Sequence, residues 1–318
     1  MVNTEEKIAL VTGAKGFIGK HLALQLSSVG YSVCGIGHGL WAEIDAKRWG
    51  VSKWINGQVV SSNLDICRKL CGPPDLIVHL AGGSSVGVAI ENPHEDFIRS
   101  AVSTSELLNW IRSEAPEARL LAVSSAAVYG ADHLGTISVG SHVNPYSPYG
   151  VHKLMMEDIC RYYALSFGIK VSLARLFSVY GRGLKKQLLW DLCSRLDAGE
   201  DPVVLGGGGE ELRDWVNVKD VVRALEMLGD TASRNVPVFN VGTGIGTPVR
   251  EVVEKLTGLW SKGSKPSRIS FSGATRQGDP FSLVADPSDL NSLGFKVGVD
   301  LAQGLADYVE WYREESTR

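Results

Sequence analysis

Apolar positions along the chain recur in two alternating rhythms. Short, nearly continuous runs at residues 8–11, 31–36, 75–80, 120–124 and 171–176 have the length and content of strands covered on both faces. A weaker run at 58–60 reads as a further strand between the second and the fourth. Between several of these, apolar residues return every three or four positions. Ile18, Leu22, Leu26 and Val29 do so, as do residues over 94–113 and 149–167, which is the period of a helix packed by one face. Strand and helix in alternation predict a parallel sheet with helices on both faces. Beyond residue 177 the pattern is shorter and more irregular. Helices are expected at 184–198, 248–257 and 300–313, and strands at 202–205 and 238–241, the last returning to the large sheet. The reading is therefore α/β: a Rossmann-like doubly wound parallel sheet with a smaller, discontinuous C-terminal α/β domain. The large domain is expected over 1–177 plus about 214–245, and the smaller over 178–213 and about 246–318.

In an open parallel sheet, ligands lie beyond the carboxyl ends of the strands. The first strand runs directly into Gly13-x-x-Gly16-x-x-Gly19 and then into a helical pattern that begins at Phe17 and Ile18. Glycines permit a tight turn and close approach of backbone to phosphate, and a helix N-terminus offers unpaired N–H groups and a partial positive charge. A dinucleotide site follows, with Gly13, Gly16, Phe17, Ile18 and Gly19 around the pyrophosphate. The acid that usually reads the adenosine ribose after the second strand is missing, and Gly37 stands in its place. Lys15 lies within the glycine turn and His38 beside the missing acid. Cations without a carboxylate suit a 2′-phosphate, so NADP(H) is favoured and NAD(H) remains open. Asp65 and Ile66 are expected near the adenine, and Leu80, Ala81 and Gly82 along the cofactor after the fourth strand.

The fifth strand ends at Ser125. A helical pattern beginning after Pro148 places Tyr149 and Lys153 four residues apart, on one face of its first turns. A phenol with a pKa near 10 exchanges protons poorly at neutral pH, and lowering it by ~2–3 units needs ~3–4 kcal/mol. One close ammonium in a dry cleft can supply that. The expected chemistry has Tyr149 as general acid–base, Ser125 bonded to the substrate oxygen, and Lys153 acting on both phenol and cofactor while hydride moves.

Taken together, Gly13-x-x-Gly16-x-x-Gly19, Ser125-x-x-x-Tyr129-Gly130 and Tyr149-x-x-x-Lys153 resemble the extended branch of the short-chain dehydrogenase/reductase family. That branch includes nucleotide-sugar epimerases, dehydratases and 4-ketoreductases. Arg175 to Gly181, Arg213-Asp214 with Asp220, and Arg276 with Gly278-Asp279 are similar to further motifs of that family. The resemblance implies that Arg213 and Arg276 hold the diphosphate of a nucleoside-diphosphate sugar, a role that suits guanidinium forks. It places Ser84, Ser85, Ser125 and Ser178 at the substrate. It also implies a homodimer through a four-helix interface built from 94–113 and 149–167. Several departures narrow the reading. Ser178 and Ser100 replace habitual asparagines, Ser84 replaces a lysine of 4-epimerases, and Ala126-Ala127 occupy the positions of the dehydratase Asp-Glu pair.

Composition removes other classes. The 318 residues carry a formal charge of −3, with 44% hydrophobic and 21% charged residues. No basic excess exists to neutralise nucleic-acid phosphates, and no run reaches the ~18 apolar residues of a membrane span. The polar opening segment predicts no signal peptide. Five irregularly spaced cysteines fit reduced thiols and a cytoplasmic location rather than a metal site. The missing acid, Lys15 and the absent dehydratase carboxylates together favour an NADPH-dependent reductase of a 4-keto(-6-deoxy) sugar on a nucleoside diphosphate. The alternatives are a 4-epimerase with tightly bound NAD and a non-catalytic cofactor-sensing protein.

Overall fold

A computed structural model of the chain describes residues 6–263, 265–274 and 278–317. In chain order the first half runs β1 (Lys7–Thr12), α1 (Phe17–Ser28), β2 (Tyr31–Gly37), α2 (Glu43–Arg48), β3 (Val51–Asn56), α3 (Ser61–Cys71), β4 (Leu76–His79), α4 (Val86–Glu91) and α5 (Pro93–Phe97). A π-turn at Ile98–Val102 joins α5 to α6 (Ser103–Glu114). Then come β5 (Arg119–Ser125), a 3₁₀ turn (Ala126–Tyr129), β6 (Thr136–Ile137), α7 (Pro148–Phe167), β7 (Lys170–Leu176) and β8 (Ser178–Tyr180). The remainder is α8 (Gln187–Asp197), β9 (Val203–Leu205), β10 (Leu212–Asn217), α9 (Val218–Gly229), β11 (Val238–Val241), β12 (Gly246–Pro248), α10 (Val249–Ser261), β13 (Ile269–Phe271), β14 (Ser282–Ala285), α11 (Ser288–Ser292) and α12 (Leu301–Ser316).

The chain divides into two compact units. The first comprises residues 1–129, 143–176 and 222–239. Its sheet has the order β11-β7-β5-β4-β1-β2-β3, and the pairings from β3 through β7 are parallel. The order reverses between β1 and β4, as in a doubly wound sheet. The expected alternation is thus realised, and the segment at 238–241 does join the large sheet. The core is formed by Leu10, Ile36, Ile77, Leu107, Trp110, Leu120 and Leu173, all almost fully buried.

One strand lies elsewhere than the hydrophobic pattern predicts. The third runs over Val51–Asn56, not 58–60. It is the edge of the sheet, paired on one side only with β2, so beyond buried Val51 its residues are half-buried or exposed. A search for a strand covered on both faces passes over it. Residues 57–60 form the turn into α3 instead.

The second unit comprises residues 130–142, 177–221 and 240–318. Its sheet has the order β12-β10-β14-β6, with β8 also paired to β10. Two carboxylates organise it. Asp214, fully buried, accepts hydrogen bonds from Thr243 N and Oγ1, Gly244 N and Ala285 N at 2.7–3.1 Å. Asp220 accepts from Gly298 N and Val299 N at 2.9 and 3.0 Å. A buried carboxylate surrounded by backbone donors is satisfied without a cation. The Arg-Asp and downstream Asp of this stretch are therefore fold-forming on the Asp side. The glycine run 206–209 is fixed as well, because Glu211 accepts from Gly208 N and Gly209 N at 2.7 and 2.8 Å. Trp190, Trp260, Trp311 and Tyr312 pack together from α8, α10 and α12.

In the first unit, α7 is clamped to the sheet by a buried ion pair. Arg175 Nε and Nη2 on β7 donate to Glu157 Oε1 and Oε2 at 2.9 and 2.7 Å, and Nη1 donates to Tyr129 OH at 2.9 Å. Removing one partner of such a pair strands a charge. Arg175→Leu is expected to destabilise the protein by about 3 kcal/mol, the low end of the usual range because Arg161 still pairs with Glu157. Urea denaturation checks this, and a loss below about 1 kcal/mol would show the pair to be dispensable.

Candidate active site

The glycine turn has the predicted geometry. Gly13 sits at φ +73° and its N–H donates to Ile36 O at 2.7 Å, tying the turn to the end of β2. A Cβ on Gly19 would fall 2.1 Å from Gly13 O, so α1 packs against the turn in a way only glycine allows. The N-cap of α1, Gly16, supplies no side chain to the first-turn N–H groups, and no acid lies in that first turn. Free donors, a bare dipole end and a cradle that a side chain would fill suit a pyrophosphate. Phe17 and Ile18 begin this helix as expected.

Behind the turn runs an oriented chain of hydrogen bonds. Leu80 N and Ala81 N donate to Thr12 Oγ1 at 3.1 and 3.0 Å, so the Thr12 proton goes to His79 Nδ1 at 2.8 Å. Thr104 donates to Ser100 O at 2.6 Å and therefore accepts from His79 Nε2 at 3.0 Å. The imidazole is fixed as the neutral Nε2–H tautomer. Burial first, and the Lys153 charge second, push its pKa down to about 3. Leu80 and Ala81 thus spend their N–H groups on the fold and offer only side chains and carbonyls along the rim. Gly82, next in line, is at φ +154°. Ser100 closes the loop by accepting from Gly83 N at 3.0 Å.

Ser125, Tyr149 and Lys153 come together. Ser147 caps α7 by accepting from Gly150 N at 3.1 Å, and Pro148 takes the first helical position. A Cβ on Gly150 would lie 2.5 Å from Ala127 O, so the start of α7 presses against the turn that follows Ser125. Ser125 Oγ accepts from Ala127 N at 3.2 Å and is close enough to the Tyr149 phenol to favour its ionised form. Lys153 Nζ donates to Val123 O at 3.0 Å and lies 6.0 Å from the centre of the Tyr149 ring.

The electrostatics differ from the expectation. Burial holds the Tyr149 phenol above its usual range. The Ser125 hydrogen bond pulls the other way, and the Asp96 charge adds to the rise. Lys153 is not among the groups that shift the phenol, and its ammonium donates to a backbone carbonyl. Burial lowers Lys153 itself to about 8, while Asp96, Glu157 and Cys160 oppose the fall. The lysine is therefore charged at neutral pH.

Two residues of this surround were not among the expected site residues. Asp96 Oδ2 receives a hydrogen bond at 2.6 Å from His152 Nδ1, both side chains being nearly buried. His152 stands inside the Tyr149-x-x-x-Lys153 motif, where it could have been noticed. Its partner lies 56 residues away on α5, which no local pattern links to it.

Other expected site residues have partners or positions of their own within the protein. Asp65 is inside α3, not after a strand, and its Oδ1 accepts from Trp110 Nε1 at 2.8 Å, which joins α3 to α6. Ile66 is half exposed on the same helix. The residues that directly follow β3 are Gly57, Gln58 and Val59, the last two of which the misplaced strand concealed. Lys15 Nζ donates to Leu40 O at 2.5 Å, and His38 is exposed in the same loop. Ser85 caps α4 by accepting from Val88 N at 3.4 Å, and Ser84 is exposed.

In the second unit, Ser178 opens β8 opposite Trp215. Arg213, half-buried on β10, donates to Leu212 O at 2.9 Å and meets no carboxylate within ion-pair distance among the described residues. Burial lowers its pKa, with Asp279 and Glu211 opposing from further away. A partly desolvated guanidinium without an anion is suited to receive one. Arg276 lies outside the described residues. Among them no three His, Cys, Asp or Glu side chains are placed to hold a metal, no helix is long and apolar enough to cross a membrane, and all five cysteines are free thiols.

Relatives agree with this architecture. A putative UDP-glucose 4-epimerase of Methanocaldococcus jannaschii is 26% identical over 96% of this chain and 99% of its own length. A probable UDP-glucuronate 4-epimerase of Rhizobium meliloti is 29% identical over 97% and 98%. Among solved structures, MoeE5 in complex with UDP-glucuronic acid and NAD is 32% identical, with a TM-score of 0.84 over 96% of this chain and 99% of that one. The model of the NAD dependent epimerase/dehydratase family matches residues 9–242. With a glycine-turn cradle, a Ser-Tyr-Lys cluster and a doubly wound sheet behind that match, the chain belongs to the NAD-dependent epimerase/dehydratase family.

Proposed function

We propose that the protein is a 4-epimerase of a UDP-sugar that works with NAD. The observation that carries this reading is the Ser125-Tyr149-Lys153 cluster next to a turn, Ala126–Tyr129, that bears no carboxylate. Elimination chemistry of the dehydratase kind needs an acid and a base there, and Ala126 and Ala127 supply neither. The relatives described above are named as UDP-sugar 4-epimerases, and MoeE5 holds NAD, which favours epimerisation over the expected ketoreduction. One of the three features that pointed to an NADPH-dependent reductase has another physical cause. The missing acid at Gly37 has a steric cause, because the Trp54 ring crowds a Cβ at that position.

A bound nicotinamide supplies the hydride acceptor and a positive charge. The chain's own groups do the rest. Ser125 orients the sugar 4-oxygen, and Tyr149 takes its proton on oxidation and returns one on reduction. Lys153, charged below pH of about 8, balances the phenolate. With the phenol held high in the free protein, Tyr149 rests protonated and needs added positive charge to act as a base. Inversion then requires only that the keto sugar present its other face to the same hydride donor. In the second unit, Arg213 is proposed to pair with the diphosphate, and Arg276 and Ser178 to assist.

NAD-loaded protein is expected to interconvert UDP-glucose or UDP-glucuronate with its 4-epimer, followed by NMR, with no net change in nicotinamide absorbance. Tyr149→Phe should lower turnover by about 10²–10⁴-fold with cofactor affinity kept. Stoichiometric consumption of NADPH on a 4-keto sugar would overturn the reading in favour of a reductase. Arg213→Ala should raise the sugar-nucleotide KM by about 10–100-fold, the worth of one charge-assisted bond. An unaltered KM would place the diphosphate elsewhere.

A homodimer is also proposed. Met155, Tyr162 and Leu165 form one outward stripe on α7, with 43%, 58% and 87% of their surface exposed. An apolar stripe of this kind on a helix marks an interface. Light scattering should give twice the chain mass for the wild type and the single-chain mass for Tyr162→Glu with Leu165→Glu. A monomeric wild type would remove the proposal.

A further inference from the structure

The carboxyl end of β2 is crowded at Gly37. A Cβ on Gly37 would lie 3.0 Å from Trp54 Cη2 on one side and 3.6 Å from Gly13 Cα on the other. Even one added carbon makes the indole give way by a few tenths of an ångström. Trp54 comes from the neighbouring strand β3, where it stands opposite Gly35. It is locked in place. Its Nε1 donates to Gly39 O at 3.1 Å, and Trp41 meets its ring edge-on at 5.3 Å between centres. The adjoining loop is fixed from two further directions. Gly39 N donates to Asn56 Oδ1 at 2.8 Å, and Lys15 reaches from the glycine turn to Leu40 O.

A carboxylate at this position does two things. It accepts hydrogen bonds from the ribose hydroxyls, and it repels a 2′-phosphate. An indole in its place does neither. Lys15 adds a cation at the same rim. An ammonium has three donors, its partner here is a carbonyl, and no carboxylate lies within ion-pair distance of it among the described residues. A phosphate oxygen can be paired there without breaking a salt bridge.

We infer that Trp54 replaces the discriminating carboxylate, so that the adenosine end of the site takes NAD(H) and NADP(H) with comparable affinity. The indole holds the ribose by shape, and Lys15 accommodates the 2′-phosphate when there is one. The inference rests on the dinucleotide reading of the glycine turn and concerns affinity, not turnover. It also accounts for the missing acid without a preference for NADP(H).

Isothermal titration calorimetry of NADH and NADPH against the full chain tests it. The two dissociation constants of the wild type are expected to lie within about tenfold of each other. Gly37→Asp combined with Trp54→Ala should restore charge reading and shift their ratio by about tenfold or more toward NADH. Lys15→Met should shift it the same way by weakening NADPH alone. Trp54→Val replaces Trp54→Ala in the double variant if circular dichroism shows the alanine form unfolded. A wild type that favours either dinucleotide by more than tenfold, or a folded double variant with the wild-type ratio, overturns the inference. Failure of the dinucleotide reading looks different, because neither dinucleotide then binds the wild type, and the inference falls with it.

Discussion

The buried contact between Glu157 and Arg175 is what the site depends on most. Glu157 has no solvent exposure, and a bare carboxylate there would be costly. Two guanidinium bonds from β7, with Arg161 from the next turn, satisfy it. The pair fixes both the rotation and the depth of α7 on the sheet. Lys153 is one turn earlier on the same face, and its ammonium reaches Val123 O because the helix is held at that depth. Tyr149 is one turn earlier still, where Gly150 rests on the 3₁₀ turn. A rigid carboxylate-guanidinium clamp thus becomes a placed phenol at the carboxyl end of β5.

Polar groups inside the first unit serve the same end. The Thr12-His79-Thr104 chain joins β1, β4 and α6 through one imidazole of fixed tautomer. It consumes the N–H groups of Leu80 and Ala81 and so sets the backbone along the strand ends. It lies where the chain passes a π-turn at Ile98–Val102, a distortion often found at functional sites. The Asp96-His152 pair sits on the other side of that turn. Its carboxylate supports the charge on Lys153 and opposes ionisation of Tyr149. The protein therefore rests with the acid loaded.

Most of the large sheet was legible because its strands are buried on both faces and announce themselves as apolar runs. The glycine turn, Ser125, Tyr149 and Lys153 were legible because their spacing is local. What escaped the pattern is non-local or one-sided. The edge strand β3 buries only Val51 fully, and misplacing it put Asp65 directly after a strand when it lies inside α3, bonded to Trp110. Gly37 looked like a lost acid, and nothing nearby in sequence reveals that Trp54 of the next strand fills its space. Phenol acidity also could not be read from Lys153 alone, since the direction in which an ammonium points is a tertiary fact.

The central claim is that one phenol, on a helix clamped by Glu157 and Arg175, serves oxidation and reduction at a single sugar carbon. Deuterium placed at C4 of the UDP-sugar tests this most directly. The account predicts that mass spectrometry and NMR find the label still at C4 of the inverted product, with none exchanged into water or carried away on released cofactor. Inverted product that has lost its C4 deuterium, or label recovered on dissociated nicotinamide, would contradict it.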